Sequence, residues 1–157
     1  KEQFAGQLDL LNLVLLACER GDDAGLSSRL LQRARSARNA PDVRSFSYVM
    51  KAFANKGMAR QAEGTFNQMI KDRIDALTME YNTLLVACAK LGDSHRALAW
   101  LVRMQSVDVH ADVFGYNALL GAYAKEADHQ SAVKLLQGMN CGSVVDVMPD
   151  AASYATA

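Results

Sequence analysis

Apolar residues along this chain recur at steps of three and four over short stretches, and a brief polar break follows each stretch. That spacing puts the apolar side chains on one face of a helix. The clearest example begins at Thr78 with Thr-Met-Glu-Tyr-Asn-Thr-Leu-Leu-Val-Ala-Cys-Ala-Lys-Leu. Gly92 follows, then Asp-Ser-His-Arg-Ala-Leu-Ala-Trp-Leu-Val-Arg-Met-Gln and a polar tail ending at Asp112. Two amphipathic helices are predicted, parted at a glycine suited to the left-handed backbone of a helix C-terminus. After 35 residues the pattern returns, with Tyr116-Asn117-Ala118-Leu119-Leu120 standing under Tyr81-Asn82-Thr83-Leu84-Leu85. A fixed period of this size predicts an all-α solenoid of helical hairpins.

The register extends through the chain. It gives units 8–42, 43–77, 78–112 and 113–150, with a fifth opening at 151–157. Residues 1–7 read as the tail of a preceding repeat or a linker. The fourth unit is three residues longer, the excess falling in Cys141-Gly142-Ser143-Val144-Val145. Ala17, Ala52, Ala87 and Ala122 share a column, as do Val14-Leu15, Val49-Met50, Leu84-Leu85 and Leu119-Leu120. Small alanines let helices approach, and the aliphatic pairs fill the space between them. In the second helices Ala62, Ala97 and Ala132 align, as do Met69, Met104 and Met139, with Phe66, Leu101 and Leu136 before them. Trp100 reads as an inter-repeat packing residue. One hairpin cannot bury its own apolar face, so each must stack on its neighbours.

Composition adds little to the fold and more to the function. Hydrophobic residues make up 50% and charged residues 22% of 157, which excludes wholesale disorder. No apolar run reaches the ~20 residues of a membrane helix, so no membrane insertion is expected. Lys+Arg 17 balance Asp+Glu 17, which argues against strong nonspecific nucleic-acid binding but leaves room for a local basic stripe. Cys18, Cys88 and Cys141 lack metal-ligand spacing, and the first two read as small buried thiols. The chain has neither an initiator Met nor a targeting segment and reads as a window on a longer protein.

Catalytic chemistry needs converging groups, and none are legible. His95 and His129 fall near helix starts, and His110 sits between Asp108 and Asp112 in one polar loop without a second ligand at metal spacing. Asp22-Asp23 suits a turn or an N-cap. No phosphate loop or nucleophile elbow occurs. The expectation is no catalytic residue, no metal and no cofactor.

The 35-residue hairpin with Tyr-Asn-x-Leu-Leu, then Ala-x-Ala-Lys-x-Gly, then Ala-Leu…Met, resembles the pentatricopeptide repeat family. The likeness covers Leu8 to Asp150 and is strongest in units three and four. The Trp-x-x-Leu-Gly-x-x-Tyr signature of the similar tetratricopeptide hairpin is absent. The resemblance implies a right-handed superhelical solenoid that binds single-stranded RNA, one base per repeat, with two side chains of each repeat reading the base.

By that resemblance the reading residues are the fifth and last of each unit: Asn12 with Asp42, Ser47 with Leu77, Asn82 with Asp112, and Asn117 with Asp150. An exposed Asn amide offers both donor and acceptor to a base edge, and a carboxylate can orient it. The Asn/Asp pair implies a pyrimidine, uracil over cytosine. Leu77 cannot hydrogen-bond, so unit two is assigned no base. The second positions, Arg44, Met79 and Phe114, would sandwich bases. Arg20, Lys90 and Lys125 at first-helix ends would contact phosphates, or merely complement the helix dipole. For the Asn column the competing explanation is capping of the first helix.

Two functions follow. The first is selective single-stranded RNA binding in organellar RNA metabolism, in a mitochondrion or plastid, with any catalytic domain outside this segment. The second is a scaffold subunit of a large ribonucleoprotein such as an organellar ribosome, contacting its proteins or structured RNA. Arg29, Arg33, Arg35 and Arg38, on or after a second helix and away from the reading positions, fit the second.

Overall fold

A computed structural model describes residues 2–37, 41–140 and 148–156. Among them every regular element is a helix. The chain divides into two compact units, 1–76 and 77–157.

The first unit holds α1 (Glu2–Arg20), α2 (Ala24–Ser36), α3 (Val43–Asn55) and α4 (Ala59–Lys71). α1 packs on α2 and α3, α2 also on α3, and α3 on α4. Leu15, Phe46, Val49, Met50, Phe66 and Met69 are fully buried, which is the aliphatic and aromatic column pattern filling the space between helices. Residues 2–7 form the opening of α1. No proline interrupts them.

Val14 and Ala17 also depart from expectation, because both are exposed, with Leu10 and Leu13 beside them. Their counterparts Val49 and Ala52 lie on α3, which packs against α1. Among the described residues no helix covers the corresponding side of α1. Periodicity assigns a residue to a face, but only a neighbour buries it.

The second unit holds α5 (Thr78–Leu91), α6 (Ser94–Ser106), α7 (Val113–Glu126), α8 (His129–Asn140) and the short α9 (Ala151–Thr156). α5 packs on α6 and α7, and α7 packs on α6, α8 and α9. Leu84, Leu85, Ala87, Met104, Leu120, Ala122 and Met139 are buried. Trp100 is buried edge-on against Tyr81 of its own hairpin, with ring centroids 6.3 Å apart, and Arg103 stacks over its face at 4.8 Å. Cys141 and the rest of the extra-length segment lie outside the described residues, as does Arg38.

The breaks obey one backbone rule. Gly57 and Gly92 have φ of 66° and 75°, and Asp22 and Ala127, in the same column, adopt 59° and 57°. The turn demands the left-handed region whatever residue stands there. Aspartates then start α2, α6 and α8, whereas α4 follows Met58 without a side-chain cap: Asp23 accepts from Leu26 N at 2.9 Å, Asp93 from Arg96 N at 2.9 Å, and Asp128 from Ser131 N at 3.1 Å.

Candidate nucleic-acid interface

Asp42, Asp112 and Asp150 each stand immediately before a first helix. Asp42 and Asp112 are extended N-caps, accepting from Ser45 N at 2.9 Å and Gly115 N at 3.0 Å. Asp150 accepts from Ser153 N at 2.9 Å in the same way. Each carboxylate also receives the amide of an Asn on the preceding first helix. Asn12 Nδ2 donates to Asp42 Oδ1 and Oδ2 at 3.2 and 3.3 Å, and Asn82 and Asn117 donate to Asp112 and Asp150 at 3.0 Å each.

The capping explanation therefore moves from Asn to Asp. The asparagines lie inside their helices, and the aspartates, standing just ahead of the next first helix with a carboxylate on its N-terminal N–H groups, do the capping. A second correction concerns exposure. Asn12 and Asn82 are only 6% and 7% exposed, because the next hairpin folds over them, while Asn117 is half-buried.

Burial alone would raise the Asp42 carboxyl, but hydrogen bonds from Ser45, Asn12 and Arg44 hold it below the usual carboxylate range. At Asp150 the Asn117 amide, followed by Ser153, has the same effect. Both groups thus stay ionised as amide-orienting acceptors.

The pairs differ at the third residue of the following helix. Ser45 Oγ donates to Asn12 Oδ1 at 2.6 Å and Ser153 Oγ to Asn117 Oδ1 at 2.5 Å. Each serine also accepts from its aspartate's backbone N, at 3.3 and 3.1 Å, closing a capping box. Gly115 occupies this place opposite Asn82, whose buried Oδ1 has no hydrogen-bond donor. Ser45 and Ser153 were absent from the sequence-based set, although Asp-x-x-Ser at both helix starts is a legible capping signal.

Unit two is built otherwise. The Ser47 hydroxyl donates to Val43 O at 2.9 Å. Leu77 lies in the other compact unit, is exposed, and has no acceptor; the Glu80 carboxylate takes its backbone N–H at 3.0 Å.

Met79 and Phe114 are more than half exposed, one turn before Asn82 and two residues after Asp112. They leave large apolar surface beside that pair. Arg44 is exposed but bound by carboxylates, 3.3 Å from Asp42 and 4.0 Å from Asp9. Arg20 and Lys90 are exposed at the ends of α1 and α5. Lys125, expected at a phosphate, donates to the Lys90 carbonyl at the end of α5, with its alkyl chain along Gly92.

The adjacent Glu126 accepts from Ser94 N at 2.9 Å and Ser94 Oγ at 2.5 Å. A cation thus meets the carbonyl end of α5 and an anion the amide end of α6, both favoured by the helix dipoles. Sequence reasoning missed this clamp, since nothing local links Glu126 to Ser94.

The remaining candidates carry no site. His95, His110 and His129 are exposed, and His110 approaches Asp108 at 3.8 Å. Arg35 makes a forked pair with Asp72 at 2.6 and 2.9 Å, while Arg29 and Arg33 are exposed. Cys18 and Cys88 are buried and outside any disulfide, and burial, then Asp23, pushes the Cys18 thiol up. No described residues form a metal-holding group, and no described helix is long and apolar enough to cross a membrane.

Known proteins share this plan. Among curated proteins, the Arabidopsis thaliana small ribosomal subunit protein mL103 (rPPR7) is 25% identical over 115 residues, which is 71% of this chain. The chain spans about a quarter (26%) of that relative's length. Among solved structures, the PPR domain of A. thaliana protein-only RNase P 1, in complex with tRNA, superposes with a TM-score of 0.77 at 16% identity, covering 95% of this chain and 77% of that one. The pentatricopeptide repeat protein PPR10 from maize gives 0.71 at 20% identity, over 93% and 20%. PPR10 bound to an 18-nt psaJ RNA element gives 0.56 at 19%, over 93% and 26%. These likenesses fix the fold as an all-α solenoid of helix–turn–helix repeats. The pentatricopeptide repeat domain model matches residues 66–126 and 101–144, and the PPR repeat model residues 44–74. The chain belongs to the pentatricopeptide repeat family.

Proposed function

We propose that this chain binds single-stranded RNA and favours uridine where an Asn and an Asp are joined. The observation that carries this reading is the recurrence of one arrangement three times: an Asn amide held at 3.0–3.3 Å by the carboxylate that caps the next first helix. Each amide nitrogen has two hydrogens. The carboxylate engages one and leaves one N–H, which suits the carbonyl oxygens of a pyrimidine. Met79 and Phe114 would enclose the base read by Asn82, and Arg20 and Lys90 would meet phosphates. The family and its RNA-bound relatives support this reading, along with an organellar location. This segment is assigned no catalysis.

A specific observation favours a second reading, because the curated relative is a ribosomal small-subunit protein. In that reading the array is a scaffold subunit of a ribonucleoprotein. Binding to short strands separates the two. Base reading requires preference for a uridine-rich over an adenosine-rich strand, and its loss in Asn82→Ala/Asn117→Ala. Equal binding of both strands by the intact chain leaves only the scaffold.

A further inference from the structure

The three Asn–Asp pairs look alike in sequence but differ in what holds the amide oxygen. Behind Asn12 and Asn117 stand Ser45 and Ser153, both fully buried. A hydroxyl has one proton. Each Oγ lies closer to the Asn oxygen, at 2.6 and 2.5 Å, than to its aspartate Oδ1, at 3.0 Å in both cases, so the proton goes to the amide. The aspartate takes an amide N–H and the serine fills the amide oxygen. Both ends of the amide are then tied, and its plane is fixed.

Asn82 has only the first tie. Its Oδ1 is buried against Gly115, and a Cβ there would lie 2.9 Å from that oxygen, 3.2 Å from Leu85 Cδ1 and 3.5 Å from Ala111 Cβ. Glycine admits the amide oxygen to the space a serine side chain would take, and offers it no proton. A buried acceptor without a donor is unfavourable, so the Asp112 bond alone opposes rotation of this amide.

We propose that the third residue of each first helix is a positioning residue for the reading amide of the preceding unit. Serine there pins the amide and sharpens base choice; glycine leaves it free to turn and blunts that choice. Units one and four are therefore the selective ones, and unit three, whose flanking Met79 and Phe114 best suit stacking, grips a base with less regard to its identity. The consequence for base choice rests on the RNA-reading function proposed above, whereas the pinning itself does not.

Two measurements on the full chain test it. Without RNA, nuclear magnetic resonance of the side-chain amides should show a lower order parameter for Asn82 than for Asn12 and Asn117. Gly115→Ser should raise Asn82 to their level, and Ser153→Gly should release Asn117. Gly115→Ala, which adds the Cβ without the hydroxyl, should not rescue. Equal order of the three amides in the parent protein, or rescue by alanine, overturns the pinning. With RNA, selection from a randomised strand should show Gly115→Ser sharpening preference at one nucleotide position by roughly two- to tenfold, the range of one added hydrogen bond. Ser153→Gly should flatten another position similarly. If the parent selects bases and both variants leave every position unchanged, the positioning role fails while base reading stands. If the parent selects none, base reading fails, and amide order alone decides the pinning.

Discussion

Asn82 rests its amide oxygen against Gly115, where an added Cβ would lie 2.9 Å away and have to push it aside, while Asn12, at the equivalent place in the first compact unit, receives the proton of Ser45. The same reading residue thus sits in two states of restraint. The difference lies in a position that touches neither base nor backbone in the expected scheme.

The aspartates serve two neighbours at once. Asp112→Ala should remove the cap of α7 and the tie on Asn82 together, lowering stability by about 1–2 kcal/mol. Asp112→Asn, which keeps an acceptor oxygen, should lose less. Urea unfolding of both variants measures this, and equal losses would show that charge rather than hydrogen bonding carries the effect.

Acid should loosen the array from these points. The Asp42, Asp72 and Asp150 carboxyls are held below their ordinary value of 3.8, the first by hydrogen bonds that outweigh its burial, the second by Arg35, the third by Asn117. A depressed carboxyl contributes stability that is fully present above its unfolded value and disappears as pH falls through the folded one. The melting temperature should therefore hold from neutrality to about pH 5 and drop below 3.8. In Asp42→Asn the drop should be shallower.

Ala127 adopts a left-handed backbone where Gly57 and Gly92 stand in earlier units. Ala127→Gly should relieve that strain and stabilise the protein by roughly 0.5–1 kcal/mol, net of the greater freedom of glycine when unfolded. A lower melting temperature in this variant would contradict the steric account.

The clamp on the α5–α6 turn is testable apart from RNA. Glu126→Ala strips a partner from Ser94 N and Oγ and should destabilise by about 1 kcal/mol. Against a Ser94→Ala background the loss should shrink, because the hydroxyl contact is already gone. Additive losses would mean Glu126 acts elsewhere.

An exposed cation at a first-helix end would meet phosphate whatever base lies beside it. Lys90→Ala should weaken binding to every strand alike and reduce the salt slope by about 0.7, the single-strand value per phosphate contact. Titration at several salt concentrations checks it; an unchanged slope would remove Lys90 from the interface.

The sequence by itself determined the hairpins, because helix periodicity, left-handed turns and aspartate caps are local requirements that repeat with the chain. The 35-residue columns named the buried residues of α3, α5 and α7, and the family likeness selected Asn and Asp as partners. Tertiary structure alone decided what those partners do. Asn12 and Asp42 are 30 residues apart, and only the docking of one helix on the next brings amide and carboxylate together, buries the amide and lets a cap double as its holder. The same docking buries Val49 and Ala52 while Val14 and Ala17 stay exposed in identical columns, puts Lys125 and Glu126 on the preceding turn, and sets Ser45 or Gly115 behind an Asn. A repeat fixes which face each residue occupies; what it meets there depends on the neighbour, and neighbours differ by single side chains.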